Sequence, residues 1–187
     1  MKAYILAGGK STRLGRDKGI EPIKGKPMIS YLLDTLSTIN VDVSIIANND
    51  NYSHFQVPVI TDIVAEKGPL GGILTAISHA NEDSIVLSVD TPFISEKNVL
   101  QLMKRYKKGS ISVVESDTIL FPLFGIYPLS LIESLKQTIH SNNLKLIKFL
   151  LENNVTKITL QLSDLEKLNI NNLENLQTAE RLLQNEN

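Results

Sequence analysis

Short unbroken apolar runs alternate along the chain with longer stretches in which apolar residues recur every three or four positions. AYILA (3–7) predicts a buried strand, and a Gly-rich segment follows it. KPMISYLLDTLSTI (26–39) has helical spacing, with Pro27 in the first turn, where a missing amide proton costs least. DVSIIAN (42–48) and VPVIT (57–61) predict two further strands, and GPLGGILTAISHA (68–80) a helix entered at Gly68 and Pro69. SIVLSV (84–89) is a continuous apolar strand ending at Asp90, and SEKNVLQLMKRYKK (95–108) is amphipathic behind a Ser cap.

Strands that are apolar throughout, separated by helices, are the pattern of a parallel sheet covered on both faces. The expected fold is therefore α/β, a three-layer Rossmann-like domain with a mostly parallel sheet. In such a sheet ligands bind beyond the carboxyl ends of the strands. SISVV (110–114) and TILFPLFGIY (118–127) lie close enough for a reversal, so one antiparallel strand is expected. From residue 128 onward the pattern reads helix, helix, strand, helix. No repeat or linker divides the chain, and a single domain over residues 1–187 is expected.

Composition narrows the chemistry. The 187 residues are 42% apolar, enough for a sizeable core. A net charge of −1 and a pI near 6.3 give no electrostatic reason to expect nucleic acid or an acidic membrane as partner, so any basic site is local. The absence of Cys excludes disulfides, thiolate zinc sites and thiol nucleophiles. His54, His79 and His140 are far apart and show no H-x-x-x-H spacing, which leaves a helical zinc site unsupported. The apolar opening is shorter than the roughly 7–15 residues of a signal-peptide core, and no run approaches a spanning helix, so the cytoplasm is the expected location.

LAGGKSTRLGRDKG (6–19) is the first candidate for chemistry. It is not a Walker A loop, because Tyr4 stands where the first Gly before Gly9-Lys10-Ser11 is required. Nor is it a dinucleotide fingerprint, since Gly8 and Gly9 are adjacent and the next Gly is at 15. Gly8 and Gly9 allow close backbone approach while Lys10, Arg13, Arg16 and Lys18 supply positive charge, which together suit a polyphosphate. A surface loop with solvated charges is the other reading of the same residues.

Asp90 is the second candidate. A carboxylate at the end of a central parallel strand faces the ligand crevice, and Mg²⁺ is commonly held by one or two carboxylates with phosphate oxygens and water. An Asp before Thr-Pro is also a common turn cap.

LAGGKSTRLGRDKG with KGKPMISYLLDTL behind it resembles the opening signature of nucleotidyltransferases that attach a nucleoside monophosphate to a phosphorylated acceptor. With VITDIVAEKGPLGGI, LSVDTPFI and FPLFGIY in this order, the chain is similar to molybdenum cofactor guanylyltransferases of the MobA type. The resemblance spans about the first 130 residues and is weaker beyond. It implies transfer of GMP from GTP to the phosphate of a molybdopterin-type cofactor, with Mg²⁺ and release of pyrophosphate. It further implies transient contact with cofactor-biosynthesis proteins or molybdoenzymes.

Position by position, the resemblance assigns nucleotide binding to Leu6, Ala7, Gly8, Gly9, Lys18, Asn48, Asp62, Gly68 and Asp90, with Asp90 also the metal ligand. Arg13, Lys18 and Asp90 are the residues it implies for catalysis. GPLGG (68–72) corresponds to the element that favours guanine over cytosine in related enzymes. Asn171, in NINN (169–172), either lines the metal site or belongs to an Asn-rich turn before the last helix. Lys145 and Lys148 stand where the family carries an Arg-rich segment, and at helical spacing they also fit a solvated face. The same chemistry with another base or acceptor, a cytidylyl or sugar-phosphate transferase, is the nearest alternative. A nucleotide-binding module without turnover is the alternative from another class.

Overall fold

The computed structural model describes residues 1–7 and 17–185. The chain forms β1 (Ala3–Leu6), a small ribbon of β2 (Pro22–Ile23) and β3 (Lys26–Pro27), then α1 (Met28–Thr38), β4 (Val43–Ile46) and β5 (Val59–Ile60). It continues through α2 (Gly68–Ala80), β6 (Ser84–Ser88), α3 (Glu96–Arg105) and the hairpin of β7 (Ile111–Ser116) and β8 (Ile119–Tyr127). The last part comprises α4 (Ile132–His140), α5 (Leu146–Leu151), β9 (Val155–Thr159), α6 (Asp164–Lys167) and α7 (Leu173–Asn185).

Among the described residues seven strands form one sheet in the order β5-β4-β1-β6-β8-β7-β9. β4 and β6 flank β1 in parallel, β5 extends the sheet beyond β4, and β9 is parallel to β7. β8 runs against both β6 and β7 and is the one reversed strand expected from the sequence. Alternate residues of the central strands feed two cores. Ala3, Ile5, Ile85, Leu87, Phe124 and Ile126 face α1, α3 and α7, while Tyr4, Val86 and Tyr127 face α2, α4 and α5. Helices thus cover both faces of the sheet, which is the three-layer arrangement anticipated above.

The first helix begins two residues later than its apolar pattern suggests. Lys26 and Pro27 pair with Ile23 and Pro22 in the β2–β3 ribbon, so Pro27 takes the position before the first helical residue. α2 starts at Gly68, as the sequence indicates, and it packs unusually close to β1. A Cβ on Gly72 would come within 2.8 Å of the Leu6 side-chain methyls, so a larger residue there would force Leu6 to shift.

One buried carboxylate ties two helix starts together. Glu166 Oε1 accepts from the Ser95 amide at 2.9 Å and from Asn98 Nδ2 at 2.7 Å, both at the start of α3. Its Oε2 accepts from the Ser163 amide at 2.9 Å, completing the capping box of α6. Burial alone would raise its pKa, but the donors from Ser95, Ser163 and Asn98 outweigh burial and hold the carboxyl below its usual range. The stabilisation is therefore complete above the unfolded value of about 4.3 and is lost as pH falls through the lower folded value. Glu166→Gln is expected to cost about 1–3 kcal/mol at neutral pH, since one donor is left facing an amide that cannot accept from it. In urea unfolding, the gap to the parent protein should narrow below about pH 4.

Candidate active site

β1 and β6 pair in parallel with Leu6 opposite Ser88, so the two strands end side by side. β4 and β5 lie on one side of β1 and β6 on the other, which makes this the point where the strand order reverses and an open crevice forms. Past the end of β6, the Val89 amide bonds to the Leu6 carbonyl at 3.1 Å, and Asp90 follows in a turn closed by Thr91 onto the Ser88 carbonyl. Asp90 is thereby delivered to the carboxyl edge beside β1. Its side chain remains about one-third exposed, at 32%.

Lys18 meets Asp90 from the opposite side. It sits on a short turn, Lys18–Ile20, capped by the Asp17 carboxylate, which accepts from the Gly19 amide at 3.2 Å. Lys18 Nζ lies 3.1 Å from Asp90 Oδ1 and 2.6 Å from Asn171 Oδ1. Asn171 in turn donates through Nδ2 to Asn169 Oδ1 at 2.6 Å. This segment is fixed by the Ile170 amide, which bonds to the Asp90 carbonyl at 2.8 Å. Asn172, not Asn171, accepts from the Asn175 amide at the start of α7, which leaves the Asn171 side chain to face the lysine.

On the other side of β1, Asn48 and Asp62 hold each other. Asn48 Nδ2 donates to Asp62 Oδ2 at 2.9 Å, and the Asp62 amide donates to Asn48 Oδ1 at 3.0 Å. Thr75 on α2 contacts Asp62 Oδ1 at 3.3 Å and accepts from the Ile63 amide at 3.0 Å, so the pair is fastened to the helix. The structure therefore joins Lys18 directly to Asp90, and Asn48 directly to Asp62. Leu6 packs beneath Gly72, Ala7 closes β1, and Gly68 opens α2 with a positive φ of 56°. Gly8, Gly9 and Arg13 lie outside the described residues.

One contact beside Lys18 carries no signal in the sequence. Asp17 and Tyr52 are 35 positions apart, yet the Tyr52 hydroxyl donates to Asp17 Oδ1. Tyr52, in the polar stretch NNDNYSHF, is fully buried rather than at the surface as its neighbours suggest. By contrast, Lys145 and Lys148 are exposed, with Lys148 3.7 Å from Glu152. A cavity of about 330 Å³ between α2 and α4, lined by Val64, Lys67, Leu74, Lys136, Ile139 and His140, contains none of the residues above.

The donor set of the crevice is oxygen only: the Asp90 carboxylate with the amide oxygens of Asn169 and Asn171. Among the described residues Asp90 Oδ2 accepts no hydrogen bond, and no group of three or more His, Cys, Asp or Glu side chains gathers at one place. One carboxylate with hard oxygen neighbours suits Mg²⁺, which keeps water and binds substrate phosphates, and does not suit a metal that needs a protein cage.

Residues 3–156 match the family model of the MobA-like NTP transferase domain. The chain belongs to this family. As a MobA-like protein it is a nucleotidyltransferase, and its curated relatives carry names from molybdenum cofactor biosynthesis. A protein of Flavobacterium johnsoniae named "Probable molybdenum cofactor guanylyltransferase" is 31% identical, covering 97% of this chain and 94% of its own. The molybdenum cofactor guanylyltransferase of Yersinia pestis is 33% identical over 78% of this chain and 77% of its own. Among solved structures, molybdopterin-guanine dinucleotide biosynthesis protein A of Archaeoglobus fulgidus superposes with a TM-score of 0.83 at 24% identity, covering 99% of this chain and all of that one. A CMP:2-keto-3-deoxy-manno-octonic acid synthetase complexed with CTP also superposes, with a TM-score of 0.78 at 14% identity and full coverage of both chains. These two likenesses establish the fold alone.

Proposed function

We propose that this MobA-like protein transfers GMP from GTP to the phosphate of a molybdopterin-type cofactor, yielding its guanine dinucleotide form and pyrophosphate. The observation that carries the reading is the Lys18–Asp90–Asn171 cluster at the strand-order reversal. A cation and a carboxylate side by side at such a reversal suit a triphosphate and its metal ion. The names of the relatives support guanine as the base and a molybdopterin-type acceptor.

The acceptor's phosphate oxygen attacks the α-phosphorus of GTP, a new P–O bond forms, and the bond to the bridging oxygen breaks with pyrophosphate as leaving group. The nucleophile is already ionised at neutral pH, so no side chain has to remove a proton. What the protein supplies is alignment and charge. Asp90 is the residue that would hold Mg²⁺, whose charge would offset that of the phosphate oxygens. Lys18 neutralises negative charge developing on the phosphates, and Asn171 fixes the lysine's direction. Asn48 and Asp62, beyond β4 and β5, would receive the nucleoside, with Leu6, Ala7 and the start of α2 at Gly68 as the adjoining wall.

Titration of the protein with GTP, CTP, UTP and ATP in the presence of Mg²⁺ tests the base. GTP is expected to bind at least about tenfold more tightly than the others, a preference of about 1.4 kcal/mol. Preference for another base would reassign the substrate to a related transferase. Pyrophosphate release with GTP and the molybdopterin-type cofactor tests the transfer itself, and silence from folded protein that binds GTP would point to a module without turnover.

A further inference from the structure

Tyr52 is a core residue whose one polar atom is spent at the edge of the crevice. The ring is fully buried among the apolar side chains on the α1 face and lies 6.1 Å from the Phe55 ring. Its hydroxyl donates to Asp17 Oδ1 and lies 3.2 Å from the Ala7 carbonyl oxygen. Ala7 and Asp17 flank residues 8–16, so a single atom meets the chain immediately before and immediately after the Gly-rich segment. Asp17 immediately precedes Lys18 and caps the turn on which the lysine rides.

We propose that Tyr52 is a positioning residue for Lys18, its hydroxyl joining the end of β1 to the turn that carries the lysine. The inference deepens the proposed function and rests on Lys18 acting there, but the juxtaposition itself does not depend on the substrate. Asp17 also accepts from Asn49 Nδ2 at 2.8 Å and Asn51 Nδ2 at 3.2 Å, both exposed. Water can replace those two donors. It cannot readily replace a phenol set in a closed core, so loss of the hydroxyl leaves Asp17 held by the Gly19 amide of its own turn and by exposed donors.

Two further observations agree. Burial, reinforced by the hydrogen bond to Asp17, pushes the Tyr52 phenol well above its usual range, so the donor stays protonated throughout the pH range in which the protein would work. A Cβ on Gly19 would run into the Tyr52 oxygen and ring, so this turn and the phenol leave no room for a larger residue between them. The DKG sequence is thereby explained in three parts: an acceptor for the phenol, a cation for the crevice and a residue small enough to pass the ring.

Tyr52→Phe keeps the ring and removes the link. NMR of the lysine ammonium groups reads Lys18 directly, its resonance identified by its loss in Lys18→Ala. The expected result is a distinct, slowly exchanging Lys18 signal in the parent that is lost or averaged in Tyr52→Phe, with the melting temperature little changed. Turnover should fall about tenfold. Lys18→Ala, about hundredfold in the parent, should cost tenfold or less in the Tyr52→Phe background, because residues acting through one another are not additive. Should Tyr52→Phe fail to fold, Asp17→Ala cuts the same link from its partly exposed end and should give the same signature. A Lys18 signal unchanged by either variant, or already averaged in the parent, overturns the proposal. So does an equal cost of Lys18→Ala in both backgrounds. If the signal changes as expected but GTP gives no turnover in the parent, the positioning stands and the substrate assignment fails.

Discussion

Asp90→Asn is expected to lower turnover about a thousandfold or more while shifting the melting temperature by no more than about 2 °C. The substitution preserves shape and leaves the backbone bonds of the turn intact, the Asp90 carbonyl to Ile170 at 2.8 Å and the Asp90 amide to Ser88 Oγ at 3.3 Å. A neutral amide still accepts from Lys18, so the fold keeps its contact. What disappears is the one carboxylate of the cluster able to hold a divalent ion. Loss of about 4 kcal/mol of transition-state stabilisation corresponds to about three powers of ten in rate. Pyrophosphate release and a thermal melt measure the two effects. A variant retaining full activity would remove Asp90 as metal ligand.

Lys18→Ala is expected to reduce turnover about hundredfold, in the range found when one charge-stabilising donor is removed from an active site. The side chain is only 14% exposed, so a moderate stability loss of about 1 kcal/mol accompanies it through lost packing of the methylene stem. Lys18→Arg should not restore the rate. The ammonium reaches Asp90 and Asn171 as a point donor at 3.1 and 2.6 Å, and a planar guanidinium is longer and bonds in a different geometry. Steady-state rates of the three proteins, set beside their melts, separate the catalytic effect from the structural one. Equal rates in Lys18→Ala and parent would take the lysine out of the site.

The fold is legible because its signal is repeated. β1, β4 and β6 are apolar on both faces, α2 spans the residues its pattern indicates, and the close spacing of β7 and β8 announces the reversed strand. Boundaries are less legible where a tertiary contact intervenes, as at Lys26 and Pro27, whose pairing in a two-residue ribbon competes with the first turn of α1. The same division holds at the crevice. Asp90 and Lys18 stand out because a charge at the end of an apolar strand, or in a Gly-rich segment, has few structural reasons to be there. Asn171 is ambiguous in the sequence, since neighbouring asparagines cap helices, and the structure divides the work by giving the cap to Asn172. Tyr52 is illegible. Its burial depends on how the loop after β4 folds against the end of β1 and the turn at Asp17, and the period of the surrounding residues carries no trace of its partner 35 positions earlier.

The backbone bond from Ile170 to Asp90 has a practical consequence for anyone trimming this protein to a minimal unit. The matched family region stops at residue 156, yet Asn169 and Asn171 lie downstream of it. A fragment cut at that boundary would retain the first six strands of the main sheet and lose the far wall of the crevice, leaving the lysine with one tether in place of two. The tail is therefore part of what holds Lys18 and Asp90 in place.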